Sequence, residues 1–157
     1  MLRLFLFFPL LLLSQELFIL PQESEYALYS LKKKLSKANK EVYLFTPSLN
    51  DYLLVNTLKK LNKEKVTITL ISSNTNKQNS AISALSLLEN VHFYTLLEND
   101  VRKIKGTVVC IDDTTLYLSS QNLAHTNIRQ DYGFTSLEKK NCTKFFTRLL
   151  KLATKIR

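Results

Sequence analysis

Glycine is nearly absent from this sequence: Gly106 and Gly133 are the only two among 157 residues. Average usage would supply about eleven. Because the phosphate-binding loops of nucleotide enzymes need several closely spaced glycines, the sequence excludes a P-loop, a dinucleotide-binding fingerprint and a kinase glycine loop. Cysteine is equally scarce, with only Cys110 and Cys142. This excludes a disulfide-rich scaffold and a zinc site made of regularly spaced cysteine and histidine ligands.

Acidic residues are also in short supply. The chain has 13 Asp and Glu against 22 Lys and Arg, which gives a formal net charge of +9 at pH 7. Such a charge favours polyanionic partners, nucleic acid or an anionic lipid surface, although solubility alone is an alternative explanation. Hydrophobic residues make up 45% and charged residues 22%, values typical of one globular domain in a chain of this length.

Long hydrophobic runs are absent except at the N-terminus. After Arg3, residues 4–13 are apolar throughout, interrupted only by Pro9. The run is too short to span a bilayer and is typical of the apolar core of a signal peptide. We predict cleavage after Ser14, but no Ala-x-Ala site precedes Gln15, so an uncleaved membrane anchor is the alternative. The expected organisation is a signal peptide or anchor over 1–14 and one domain over 15–157, in an exported, periplasmic or envelope-associated protein.

Hydrophobic periodicity predicts alternating strands and helices. Runs of β-branched and apolar residues predict strands, and apolar spacing of three and four predicts helices. Ser24 and Asp51 are expected to cap the first two helices, and Lys32, Lys33 and Lys34 are expected on a solvated helix face. The predicted order is a strand at 17–20, a helix from 24, a strand at 42–46, a helix from 51, a strand at 66–71, a loop at 72–76, a helix at 81–88, strands at 91–96, 107–111, 116–118 and 132–135, and a helix at 138–156. This order predicts an α/β fold, a mixed sheet with helices on both faces. The strands at 107–111 and 116–118 are predicted to form a hairpin, with Asp112 and Asp113 in its turn.

The two cysteines leave two interpretations open. Cys110 lies in the hydrophobic strand predicted at 107–111, where a cysteine commonly serves as a small buried hydrophobic residue. The alternative is a disulfide with Cys142, which an exported protein could form. Spacing alone does not decide between them.

One segment carries a family resemblance. A strand from Thr107 ends in Asp112, the run Ser119-Ser120-Gln121-Asn122 follows, and Asp131 precedes the last predicted strand. This pattern resembles the phospholipase D superfamily, in particular its single-motif, Nuc-type endonucleases. The resemblance extends over about residues 17–156 and implies the fold of a single phospholipase D half, with a mixed β-sheet and helices on both faces.

The resemblance also shows where this sequence departs from the family. The family motif is His-x-Lys-x4-Asp, and counting back from Asp112 places Lys105 at the histidine and Thr107 at the lysine. In the family that histidine attacks phosphorus and the lysine binds phosphate. An unperturbed lysine is protonated at pH 7 and has no lone pair for attack. Asp113 and Ser119 also stand where family members usually carry glycine. The resemblance therefore predicts a degenerate motif with little or no phosphodiesterase activity.

Several residues remain candidates for binding or catalysis. Lys103, Lys105, Ser120 and Asn122 could bind phosphate. His125 could replace the missing nucleophile, which would make the chain an active nuclease or phospholipase with shifted catalytic residues; a solvent-exposed loop histidine is the simpler interpretation. Catalysis in this family needs no metal, so we expect neither a metal nor another cofactor.

The expected partners follow from charge and resemblance together. Nucleic acid or another phosphate polyanion is the expected ligand. Single-motif family members dimerise, so a homodimer, or a heterodimer with a chain that carries the intact motif, is the expected assembly. The N-terminal segment would allow membrane association. An envelope interaction protein without a phosphate ligand is a third hypothesis.

Overall fold

The structure, a computed structural model, describes residues 16–20, 24–49, 51–73, 80–96, 106–119, 131–136 and 142–155. These residues form four helices and eight strands, and the sequence predicts the four helices and seven of the strands. The elements are β1 (Glu16–Leu20), α1 (Ser24–Leu35), β2 (Glu41–Phe45), α2 (Tyr52–Lys63), β3 (Thr67–Ser73), α3 (Ser80–Ser86), β4 (Val91–Leu96), β5 (Thr107–Ile111), β6 (Thr115–Ser119), β7 (Asp131–Ser136), α4 (Cys142–Leu150) and β8 (Thr154–Lys155).

All eight strands belong to one mixed sheet with the order β1-β7-β6-β5-β2-β3-β4-β8. Strands β2, β3 and β4 are parallel, because helices connect them. Strand β5 pairs antiparallel with β2, and β5, β6, β7 and β1 continue the sheet by antiparallel pairing. The βαβ units and the hairpin predicted from periodicity therefore join in a single sheet.

Helices cover both faces of the sheet, as predicted. Along β2, Val42 and Leu44 face the layer formed by α1, α2 and α3, whereas Phe45 faces α4. This alternation follows from the two-residue period of a strand. All five residues of β5 are buried, which is typical of a central strand covered on both faces.

The C-terminal helix is the largest departure from the predicted elements. The predicted helix at 138–156 is wrong in extent: α4 ends at Leu150, and the next residues form tight turns in which Leu152 N–H donates to Leu149 O. Thr154 and Lys155 then pair antiparallel with Thr95 and Tyr94. Strand β4 would otherwise expose an unpaired edge, and this pairing covers part of it.

The predicted N-terminal signal peptide or membrane anchor is not tested by the structure. The signal peptide or anchor predicted over 1–14 lies outside the described residues. Within the described ranges, no helix is both long enough and apolar enough to cross a bilayer.

Candidate functional site

Five neighbouring strands each place a buried hydroxyl side chain at the same level of the sheet. Phe45 lies opposite both Ile71 and Val108, so the next level contains Thr46, Ser72 and Thr107. Ser72 is paired with Thr95 and Thr107 with Ser119. We call these residues the hydroxyl row, and the edge of the sheet that carries them the hydroxyl edge. In sheet order the row is Ser119, Thr107, Thr46, Ser72 and Thr95, and each residue is at most 8% exposed.

The hydroxyl row lies at the position where the sequence analysis expects phosphate chemistry. Thr107 occupies the place of the motif lysine, and Ser119 begins the Ser-Ser-Gln-Asn run. The row also corrects one expectation, because Ser72 was predicted in a loop but continues β3 as a buried strand residue. The signal for the row was in the sequence, since a Ser or Thr stands at the same end of each of these strands, but the strand register was needed to show that they align.

The hydroxyl proton of Thr107 is used in a hydrogen bond inside the protein. Thr46 Oγ1 donates to the carbonyl of Ser48 at 2.7 Å, and a hydroxyl has only one proton. In the 3.2 Å contact between Thr46 Oγ1 and Thr107 Oγ1, Thr107 must therefore be the donor. Thr107 carries no positive charge, and its hydroxyl proton is used in a hydrogen bond within the protein.

A tyrosine extends this polar cluster. Tyr117 lies two residues before Ser119 on β6 and is 4% exposed. Burial raises the pKa of the Tyr117 phenol, and a hydrogen bond with Ser119 lowers it in part. The phenol is therefore neutral at physiological pH and adds no charge to the hydroxyl edge.

Asp112, the last residue of the family motif, lies at the opposite edge of the sheet. Five residues separate it from Thr107 along β5, which corresponds to about 17 Å. Its carboxylate accepts hydrogen bonds from the backbone N–H groups of Asn39, Lys40 and Glu41 at 2.9, 2.9 and 3.0 Å. Burial raises the pKa of this carboxyl, but the three hydrogen bonds lower it further, and the net pKa lies below the ordinary value. Asp112 therefore joins β5 to the α1–β2 connection and does not contribute to the hydroxyl edge.

The predicted turn at Asp112 and Asp113 is confirmed. Both residues have positive φ, 51° and 53°, and Thr114 N–H donates to Ile111 O at 3.0 Å, as in the type I′ turn of a tight hairpin. Asp113 lies with this turn at the edge of the sheet opposite the hydroxyl edge. Asp113 Oδ1 accepts from the backbone N–H of Thr143 at 3.3 Å and from the Thr143 hydroxyl, so it satisfies a free donor at the start of α4.

The cysteines join the same junction. Cys110 and Cys142 are fully buried and form a disulfide with a Cα–Cα distance of 5.8 Å. Of the two interpretations that the sequence left open, the structure contains the disulfide. It joins the motif strand β5 to the N-terminal residue of α4.

One group of potential metal ligands occurs within the described part of the chain. Donor atoms of Cys110, Asp113 and Cys142 lie within 4.8 Å of one another. A metal ion binds the cysteine thiolate, and in the disulfide neither sulfur is a thiolate. In this redox state the group is therefore a structural junction.

Several predicted site residues cannot be placed. Lys103, Lys105, Ser120, Asn122 and His125 lie outside the described residues. Asp131 is the first residue of β7 and is paired with Leu20. Because β7 runs antiparallel to β6 and Gly133 lies opposite Ser119, the backbone of Asp131 lies at the hydroxyl edge.

An ion pair connects the first two helices near the hydroxyl edge. Asp51 caps α2, since its carboxylate accepts from Leu54 N–H at 2.6 Å, as predicted. The same carboxylate lies 3.2 Å from Lys32 Nζ. The side chain of Lys32 is 19% exposed, so the predicted position on a solvated face is wrong for this residue. No pattern in the sequence indicates this contact across 19 residues.

Comparison with known proteins agrees with the resemblance in the sequence. The family model described as "Cardiolipin synthase, PLD-like domain" matches residues 31–149. None of the curated proteins matches the chain at a significant level.

Solved structures show the same fold. NucT from Helicobacter pylori superposes with a TM-score of 0.76 and 21% identity, covering 91% of this chain and 99% of that one. Nuc from Salmonella typhimurium, a phospholipase D family member, has a TM-score of 0.72 and 14% identity, covering 92% and 98%. TrmBL2, an archaeal chromatin protein, has a TM-score of 0.67 and 12% identity, covering 90% of this chain and 54% of that one.

Proposed function

Because the chain belongs to the phospholipase D superfamily, we propose that it is an exported, degenerate member that binds a phosphate polyanion, DNA or RNA, and has little or no phosphodiesterase activity of its own. The fold is that of a Nuc-like phospholipase D half.

The state of Thr107 is the observation that carries the proposal. It stands at the position of the motif lysine, it is 1% exposed, and its proton is donated to Thr46. The nucleophile position holds Lys105, which is cationic at pH 7 and cannot attack phosphorus. Loss of a covalent nucleophile costs on the order of 10⁴ to 10⁶ in rate. We expect Lys103, Lys105, Ser120 and Asn122 to bind phosphate at the motif.

The net charge and the structural relatives support nucleic acid as the ligand. A net charge of +9 attracts a phosphate backbone. TrmBL2, which shares the fold, is described as binding DNA, and Nuc-type relatives share it over nearly their whole length.

The proposed location rests on two features. Residues 1–14 have the pattern of an export signal or anchor, and the Cys110–Cys142 disulfide suits an oxidising compartment. We extend the proposal to assembly: the half binds a second half, its own copy or a chain with the intact motif, which would supply the missing histidine.

The test combines binding with cleavage. The mature protein is incubated with fluorescent single-stranded and duplex DNA in EDTA, and both anisotropy and product length are measured. We expect binding without cleavage, and Lys105→Ala should weaken binding. Lys60→Ala is the matched control, because it removes the same charge from the end of α2 far from the hydroxyl edge. Cleavage that persists in EDTA and disappears in His125→Ala would contradict the proposed lack of phosphodiesterase activity. If the protein binds neither single-stranded nor duplex DNA, nucleic acid is not the ligand.

A further inference from the structure

Large apolar side chains are exposed in a cluster at the start of two helices. Within the described ranges, Tyr26 and Tyr29 on α1 are 59% and 62% exposed, and Tyr52 and Leu53 on α2 are 74% and 60% exposed. Single exposed apolar residues are normal on a protein surface. Here four of them lie near the starts of neighbouring helices, with Tyr29 in the second turn of α1 and the other three in first turns, and this needs an explanation. We call these four residues the tyrosine face.

The topology places the tyrosine face at the hydroxyl edge. Four successive antiparallel pairings separate β1 from β2, so the two strands run in the same direction. Helix α1 follows β1 and α2 follows β2. Both helices therefore begin at the edge where their strands end, which is the edge that carries the hydroxyl row.

The Lys32–Asp51 ion pair brings the two helices together within this face. Tyr29 lies three residues before Lys32 on α1, one turn away on the same side of the helix. Tyr52 directly follows Asp51. Because Lys32 Nζ and Asp51 lie 3.2 Å apart, Tyr29 and Tyr52 flank one contact point. Lys33, four residues after Tyr29, is exposed and adds a cation on the same side.

The chemistry of the face fits unpaired bases. Tyrosine rings stack on bases of any sequence, but only where the bases are not enclosed in a duplex. The exposed Lys33 beside Tyr29 attracts the accompanying phosphates.

We propose that the tyrosine face stacks the unpaired bases of a single-stranded nucleic acid whose backbone runs along the hydroxyl edge. This inference rests on the proposed function and adds the strand state of the ligand. Tyr29 and Tyr52 are the principal stacking residues, and the contact does not require a particular sequence.

The experiment compares one oligonucleotide in two states. Anisotropy is measured with oligo(dT) of about 16 nucleotides and with a duplex of the same length, for Tyr29→Ala and Tyr52→Ala in the full domain. We expect each variant to lose about 5- to 100-fold of single-strand affinity, the range for one stacked base, with less than about a twofold change for the duplex. Tyr29→Phe and Tyr52→Phe should retain binding, since the ring is kept. Leu87→Ala and Leu152→Ala remove exposed side chains elsewhere and should have no effect.

The outcomes separate this inference from the proposed function. If the unmodified protein binds neither DNA, the proposed function fails and this inference fails with it. If it binds both DNAs and the tyrosine variants bind normally, or lose both DNAs equally, the stacking inference alone is overturned. Sedimentation of the same variants adds one further outcome: a change in oligomeric state without a change in DNA affinity would identify the face as a protein interface and overturn the inference.

Discussion

Asp112 shows how the environment of one residue changes the interpretation of a motif. By sequence it is the terminal residue of the family pattern, yet its carboxylate accepts three backbone N–H groups from the α1–β2 connection. A carboxylate at this position stabilises the domain through hydrogen bonds to its charged form. The three backbone hydrogen bonds therefore give Asp112 a structural role in the fold.

We expect Asp112→Asn to destabilise the domain by about 1–2 kcal/mol at pH 7, because hydrogen bonds to a charged group are weakened and the amide presents donors to a cluster of donors. Asparagine tolerates positive φ, so the turn itself should persist. The measurement is the free energy of unfolding in urea.

The pH dependence provides the control. The pKa of Asp112 is lower in the folded state than its ordinary value of 3.8. Its contribution is therefore fully present above the unfolded-state pKa and is lost as the pH falls through the folded-state pKa. The difference between wild type and Asp112→Asn should shrink below about pH 4; a difference that stays constant down to pH 2 would contradict the assignment.

Thr107 also has a structural role, at the hydroxyl edge. Its side chain is buried and donates to Thr46, so it stabilises the sheet edge instead of contacting an anion. We expect Thr107→Val to cost about 1 kcal/mol of stability, the value of one net hydrogen bond. DNA affinity in the anisotropy assay should change less than about twofold. A large loss of affinity would show that the hydroxyl binds phosphate after all.

The N-terminus of α2 combines a cap with an ion pair. Asp51 accepts from Leu54 N–H and contacts Lys32. We expect Asp51→Ala to cost about 1–2 kcal/mol in the free energy of unfolding, because it removes both contacts. Asp51→Asn should cost less, since asparagine is an equally good cap. Equal losses for the two variants would assign the effect to the ion pair.

Helix α4 is held to the sheet at its first turn by two independent links. The Cys110–Cys142 disulfide and the Asp113–Thr143 hydrogen bonds both join it to β5 and the following turn. A short helix gains little stability on its own, so this attachment and the burial of Phe146 and Leu149 against the sheet position it.

Reduction should therefore destabilise the domain. The disulfide closes a sequence separation of 32 residues, for which the chain-entropy account gives about 3–4 kcal/mol. Urea unfolding with and without dithiothreitol measures the difference. The double variant Cys110→Ala/Cys142→Ala should be less stable and insensitive to dithiothreitol, and an equal response to reductant in both proteins would exclude the disulfide as its cause.

The charge of the whole chain gives a prediction that no single residue gives. With a net charge of +9, binding of a single strand should release counterions, and log affinity should fall linearly with log salt by about 0.7 per neutralised phosphate. Contact with four to six phosphates would give a slope of about −3 to −4. Anisotropy over a series of salt concentrations measures the slope, and affinity that does not depend on salt would contradict polyanion binding.

Four features can be predicted from the sequence alone: the alternation of strands and helices, the hairpin turn at Asp112 and Asp113, the Asp51 cap and the family resemblance. All of these are local, since they depend on periodicity, turn chemistry and spacing within about twenty residues. The extent of the last helix was not predictable in this way, because β8 forms only where β4 offers an open edge.

The relations between distant residues follow from the tertiary structure and not from local sequence patterns. The alignment of Ser72 with Thr46 and Thr107 depends on the strand register. Asp112 is separated from the hydroxyl edge by the length of β5. The partner of Cys110 and the Lys32–Asp51 contact likewise needed the folded chain. The physical reason is that hydrophobic periodicity records which face of an element is buried, whereas the pairing of elements depends on packing over the whole sheet.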